Sequence, residues 1–214
     1  MEIAQLRKEY TRDGLLEDDM PAHPITLFQT WLQQAIEAEV LEPNAMSLAT
    51  AGTNYLPNLR TVLLKKVDPN GLVFFTNYSS EKARELEANP QAAALFPWLA
   101  LERQVKFQGS VEKISKKESL EYFLSRPFGS QLGAWVSRQS SIITSRKILE
   151  MKLVEMKQKF SKGKVPLPSF WGGYRIKPCI VEFWQGGAHR LHDRIVYRRV
   201  SATSDAWEMC RLAP

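Results

Sequence analysis

Cysteine is nearly absent. Cys179 and Cys210 are the only two among 214 residues. They make no CxxC spacing and no disulfide framework, which argues against a stapled secreted scaffold and fits a reducing cytosol. No apolar run reaches the roughly 18–20 residues that a membrane-spanning helix needs. The start, MEIAQLRKEYTRDG, is charged and has no apolar core, so a signal peptide is not expected. GxGxxG, P-loop and GxSxG patterns are missing, and no serine sits on a nucleophile turn. Histidine is sparse as well. His189 and His192 form an HxxH, but on a strand an odd spacing sends the two rings to opposite faces, so a shared metal ion is not expected. Asp193 follows His192 directly and would point away from it, which weakens any Ser-His-Asp arrangement. His23, alone before a helix, has capping or surface as its default role.

Positive charge is in excess, 29 Lys and Arg against 23 Asp and Glu, for a net +6. Such a balance suits either nucleic acid or phosphorylated small molecules. The basic residues are spread along the chain, without a tail or block, and this favours a folded anion pocket over a nucleic-acid arm. Length and composition fit one ordinary globular domain. Residues 1–23 read as a polar leader, in which Arg7 and Tyr10 would share one face of a helical turn. Residues 24–214 read as the domain.

Pro24 to about Val40 has a helical pattern, with stripes Leu27/Trp31/Ala35 and Phe28/Leu32/Ile36. Strands are expected at Met46–Thr50 and Leu59–Val67. The turn Asp68-Pro-Asn-Gly71 then makes a hairpin with Leu72–Thr76. A short helix spans about Ser80–Asn89, and further strands follow at Gln91–Phe96 and Arg103–Ile114. Ser115 and Glu118 have capping-box spacing and open a helix to about Ser125. A helical pair follows near Ser130–Val136 and Thr144–Ser161. In the second, Leu149, Leu153, Met156 and Phe160 form a core-facing stripe, and Gly163 can cap its end. VPLPSFWGG (Val165–Gly173) is the best boundary candidate, though its aromatics favour an ordered loop. Strands return at Ile180–Trp184, Arg190–Val200 and Trp207–Leu212. Non-consecutive strands with inserted helices predict a mainly β, α+β protein: an antiparallel barrel with peripheral helices.

The stretch Phe183–Arg199, FWQGGAHRLHDRIVYRR, reads as a hairpin. If its second strand starts at Arg190, then Arg190, His192 and Arg194 share a face, with Trp184 across the turn. That face is either an anion site for a flat ligand or a solvated basic strand.

Six ordered motifs extend the reading: RTVLLK (60–65), FFTN (74–77), ERQV (102–105), YFLSRPFGSQLGAWVSRQSS (122–141), PLPSFWGGYR (166–175) and FWQGGAHRLHDR (183–194). With LRKEY near the start and the terminal RLAP, the chain resembles the pyridoxine/pyridoxamine 5′-phosphate oxidases nearly end to end. Related flavin oxidases of phenazine synthesis share parts of these motifs and are the main rival. The resemblance implies a split β-barrel of the FMN-binding type and a cytoplasmic homodimer with FMN at its interface. It implies oxidation of pyridoxine or pyridoxamine 5′-phosphate to pyridoxal 5′-phosphate by O2, giving H2O2, and ammonia from the amine. No metal, nucleic acid or membrane is implied.

By resemblance, the FMN residues are the strand Arg60, Thr61, Val62, Leu63, Leu64 and Lys65, with Phe75, Thr76 and Lys82, and Gln104 at the ring edge. Gln139, Ser140, Trp184 and Arg194 are expected from the second subunit. Lys65, Tyr122, Arg126 and Ser130 match the substrate phosphate clamp. Arg190 and His192 match the residues that hold the pyridine ring and carry the catalytic role, and Arg7 and Tyr10 match a lid. One departure stands out: the family often has Arg before the phosphate-binding lysine, where this chain has Glu81. The expectation is that Glu81 points away and acts on its helix dipole.

Overall fold

A computed structural model describes residue 10 and residues 14–161, 163–201 and 204–214. Helix α1 (Pro24–Glu37) begins as its sequence suggests. Pro24 occupies the first turn, and the His23 ring accepts the Ile25 N–H at 3.2 Å. The helix buries Ile25, Leu27, Phe28, Trp31 and Ala35, and Phe28 meets Phe96 and Phe107 with ring centroids 4.9 Å apart. The second expected stripe is only partly internal, since Ile36 is exposed. The helix stops before Val40, and Glu39 takes a positive φ.

Among the described residues nine strands follow: β1 (Ala45–Ala51), β2 (Pro57–Leu63), β3 (Lys66–Asp68), β4 (Gly71–Asn77), β5 (Gln91–Trp98), β6 (Arg103–Lys113), β7 (Trp171–Gln185), β8 (Asp193–Arg199) and β9 (Trp207–Arg211). Every pairing is antiparallel. The sheet runs β2-β1-β5-β6-β7-β4-β3, with β8 on β7 and β9 beyond. The two end strands, β2 and β3, are consecutive in the chain. Their link is where the sequence reading fails, because Leu59–Val67 is not one strand. The Leu64 N–H bonds Asn44 O at 2.8 Å, and the next N–H, of Lys65, bonds Val73 O at 2.9 Å. The chain steps from one end of the sheet to the other within two residues.

β7 is the second departure. It starts at Trp171, inside the stretch read as a loop, and runs for 15 residues. Its first part pairs with β4 and its second with β8 on the same edge, while β6 follows it along the other. The β6–β7 register shifts at Gln108/Gly109. A Cβ on Gly109 would sit 2.0 Å from Lys177 O, so the close approach there requires glycine.

Among the described residues, five α-helices flank the sheet: α1, α2 (Glu81–Ala88), α3 (Lys116–Ser125), α4 (Phe128–Val136) and α5 (Lys147–Lys159). Ser80 caps α2, and Ser115 and Glu118 close a reciprocal capping box on α3. The main apolar core fills the sheet and α1. A second cluster joins Phe123, Leu132, Met156 and Trp171 of α3, α4, α5 and β7, with Leu149, Leu153 and Phe160 packed against it. Leu15, ahead of α1, is buried in the main core. The segment around it is tied to the C-terminal strands: Arg211 meets Glu17 at 2.6 and 2.8 Å and also pairs with Asp193, which accepts the Leu15 N–H at 3.0 Å.

Candidate active site

A cleft of about 690 Å³ opens between the sheet and the second apolar cluster. Its size suits a cofactor with a small substrate. β2 and the break after it supply Arg60, Thr61, Val62, Leu63 and Lys65. β4 supplies Phe75 and Thr76, and α2 supplies Lys82. Tyr122 at the end of α3, Arg126 after it and Ser130 on α4 form the opposite side, with Gln139 and Ser140 beyond. Leu64 does not join them. It is buried in the main core, the other side of an alternating chain.

The aromatic floor is flat. Phe75 stacks on Tyr122 with centroids 3.9 Å apart at 21°, and on Trp171 at 5.3 Å and 12°. The Arg126 guanidinium lies 4.7 Å over the Trp171 ring. Its Nη1 is buried without a hydrogen-bond partner. Burial pushes the Arg126 pKa down and the Tyr122 phenol up, and each group's proximity partly offsets the shift of the other.

Lys82 is buried, with Nζ 3.3 Å from Thr76 Oγ1 and 3.4 Å from Gln139 Oε1. Burial, then the charge of Arg60, holds its pKa below the ordinary lysine value, while Glu85 and Glu81 pull it back. Among the described residues no carboxylate pairs with Lys65, Lys82 or Arg126. Arg60 does have one, Glu85, at 3.1 Å. Glu81, exposed in the first turn of α2, is part of the cleft lining, and its backbone N–H reaches Ser140 Oγ at 3.2 Å.

The other expected site residues gather elsewhere. Gln104, Trp184 and Arg194 are direct cross-strand partners on β6, β7 and β8, so their side chains share one face. His192 packs on Trp184 at 4.8 Å, and Tyr10 meets the edges of both at 5.7 and 5.5 Å. Arg194 is held by Glu182 at 2.9 Å and by Ala213 O at 2.9 Å. Arg190 is not on a strand. Ala188–Arg190 is a 3-10 turn, Arg190 has φ 64°, and β8 begins only at Asp193. The expected hairpin forms between β7 and β8, but its loop is longer, with two glycines and a 3-10 turn, so strand alternation does not reach Arg190. Arg7 lies outside the described residues. Not one of Tyr10, Gln104, Trp184, Arg190, His192 and Arg194 lines the cleft. Conversely, Gln139 and Ser140, expected from a second subunit, lie beside Lys82 of the same chain.

A family model described as pyridoxamine 5′-phosphate oxidase matches residues 32–160. The chain belongs to the pyridoxamine 5′-phosphate oxidase family. A second model, described as the pyridoxine 5′-phosphate oxidase C-terminal dimerisation region, matches residues 171–214, which are β7 to β9. A pyridoxine/pyridoxamine 5′-phosphate oxidase of Crocosphaera subtropica is 59% identical over the full length of both chains. Its counterpart in Escherichia fergusonii is 55% identical over all of this chain and 96% of its own. Among solved structures, PhzG of Burkholderia lata, in complex with tetrahydrophenazine-1-carboxylic acid, aligns with a TM-score of 0.88 at 30% identity, covering 94% of this chain and 98% of that one. A pyridoxamine 5′-phosphate oxidase-related, FMN-binding protein of Nostoc punctiforme shares the fold, with a TM-score of 0.69 at 15% identity over 87% and 97%.

In this oxidase-family cleft, sequence reasoning missed Trp171, Asn58 and the small residues Gly133 and Ala134. Trp171 stood in a quoted motif, but its place in a loop-like stretch hid that it faces Tyr122. Gly133 and Ala134 on α4 leave room that only the packed helix reveals.

Proposed function

We infer that this protein is an FMN-dependent oxidase that converts pyridoxine 5′-phosphate or pyridoxamine 5′-phosphate to pyridoxal 5′-phosphate, in vitamin B6 biosynthesis and salvage. Oxygen is the acceptor and hydrogen peroxide the by-product, and the amine also releases ammonia. The working unit is a homodimer. We place it in the cytoplasm. Among the described residues no helix is long and apolar enough to cross a membrane. Residues 24–214 act as one FMN-binding domain, and residues 1–23 as a leader that covers the site.

One observation carries the reading: the buried, unpartnered Nη1 of Arg126, in a cleft whose other cations are Arg60, Lys65 and Lys82. A buried guanidinium nitrogen without an acceptor is costly unless a ligand supplies one. Lys82 makes the case for the cofactor. Its ammonium is buried against a hydroxyl and an amide, with no carboxylate, so the residues fit the phosphate of FMN. The flat Phe75–Trp171 side and the apolar Val62 and Leu63 suit its ring system. When bound, FMN supplies the two-electron acceptor that the protein lacks.

The chain's own residues then bind and orient. Lys65, Tyr122, Arg126 and Ser130 hold the substrate phosphate, and this fixes the position of the C4′ carbon. His192 Nδ1 accepts the Gly187 N–H at 3.1 Å, so its ring proton sits on Nε2, free to donate to a ring substituent. Arg190, on its exposed turn, covers the ring. Trp184, Arg194 and Gln104 bound the flavin, and Tyr10, with Arg7, closes the site. Because these residues do not line the cleft of their own chain, we assign them to the cleft of the partner subunit.

Purified protein should be yellow, should bleach with pyridoxamine 5′-phosphate without oxygen, and should consume oxygen when air is admitted. Equal turnover of pyridoxine and its phosphate would instead favour an oxidase of unphosphorylated rings.

A further inference from the structure

Glu85 does not line the cleft, yet its carboxylate collects three donors, two of which, Arg60 and Asn58, belong to the cleft lining. Oε2 takes the Thr50 hydroxyl at 2.5 Å and Arg60 Nη2 at 3.1 Å, and Oε1 takes Asn58 Nδ2 at 2.9 Å. Thr50, buried in β1, in turn accepts from Arg60 Nη1, and Leu48 O takes the same nitrogen at 3.2 Å. Arg60 thus keeps Nε and one Nη2 hydrogen uncommitted. Glu85 also stands one helical turn after Lys82 on α2, so the two share a face.

We propose that Glu85 is a positioning residue: one carboxylate behind the wall joins α2 to β1 and β2, and so sets the spacing between the Arg60 guanidinium and the Lys82 ammonium that together receive the FMN phosphate. The two cations come from different elements, and each repels the other. Thr50 and Leu48 O hold Arg60 Nη1 from β1, and Glu85 is the side chain of α2, the helix that carries Lys82, that bonds Arg60. This inference rests on the assignment of Arg60 and Lys82 to the FMN phosphate.

The test compares FMN with riboflavin, which lacks the phosphate, by flavin fluorescence quenching on flavin-free protein. Glu85→Ala removes the charge and the geometry. It should weaken FMN at least about tenfold and leave riboflavin within about twofold. Glu85→Gln removes the charge but keeps the hydrogen bonds once the Asn58 amide flips, and it should change FMN less than about threefold. Thr50→Val, which keeps the charge and the shape, should weaken FMN selectively and covers the case in which Glu85→Ala does not fold. Lys82→Met is the control and should lose the preference for FMN. Loss of preference in Lys82→Met but not in Glu85→Ala or Thr50→Val overturns the positioning role alone. Preference kept in all of them overturns the phosphate assignment beneath it. Equal weakening of FMN and riboflavin by Glu85→Ala reduces Glu85 to a structural residue.

Discussion

Arg126 sits over Trp171 with one nitrogen unpartnered, beside a phenol and a hydroxyl. Arg126→Met keeps much of the packing and removes the charge. Truncating one partner of a buried charged pair costs about 2–5 kcal/mol, so kcat/KM for pyridoxine 5′-phosphate should fall at least about 30-fold, mostly through KM, with riboflavin affinity unchanged. Lys82 makes a statement about pH. Its folded pKa lies below the ordinary lysine value of 10.5, first because of burial and then because of Arg60. Between the folded and unfolded values the unfolded chain holds more protons, so the stability of the FMN-free protein rises with pH across that window. The penalty is complete below the folded pKa and is gone above the unfolded one. A phosphate beside Nζ restores the proton. FMN binding in that alkaline window should therefore take up protons, seen as a buffer-dependent heat in titration calorimetry, and Lys82→Met should remove the uptake.

At the scale of elements, the α3 cap is the simplest lever. Ser115 accepts the Glu118 N–H at 3.1 Å and Glu118 returns the bond at 3.2 Å. Ser115→Ala should cost about 1 kcal/mol, a drop in Tm of roughly 2–4 °C for a chain of this size. Gly109→Ala is of another order, because a methyl cannot occupy a point 2.0 Å from a backbone oxygen. Scanning calorimetry should show either a drop several times that of Ser115→Ala or no folded protein. The cap, the Asp68–Gly71 turn, α1 and α2 were all legible in the sequence, since each is decided by residues within a few positions of one another. The break at Leu64–Lys65 and the length of β7 were not. Both depend on which distant strand receives the backbone hydrogen bonds. Gly172, Gly173 and Pro178 argue against a central strand locally. The two glycines are tolerated because Tyr78, Ile114 and Phe75 fill the space where their Cβ atoms would stand, and Pro178 falls at the register shift and between the β4 and β8 pairings.

For the whole molecule, the expected site residues fall into two places on one chain: the cleft, and the Trp184–His192 face of the dimerisation region. The cleft could be gathered from motifs because most of its residues belong to four of the six ordered segments. The division could not, because nothing in a linear motif says which copy of the chain a side chain serves. The dimer has an arithmetic consequence. Arg126→Met and Arg190→Ala chains should each be nearly inactive alone. Co-refolded in equal amounts, they should recover about a quarter of wild-type sites, because each mixed dimer rebuilds one intact site. No recovery would place both residues in the site of a single chain.

The ion pair between Glu17 and Arg211 bridges 194 positions of sequence. A ribosome adding roughly 5–20 residues per second needs about 10–40 s to travel that distance. Throughout that interval the leading segment has been made and its partner has not. Leu15 must wait for the same event, since the Asp193 that accepts its N–H is itself only 21 residues from the end. The segment around Leu15 and Glu17 is therefore made long before it is fastened, and a chain cut before Arg211 loses that anchor.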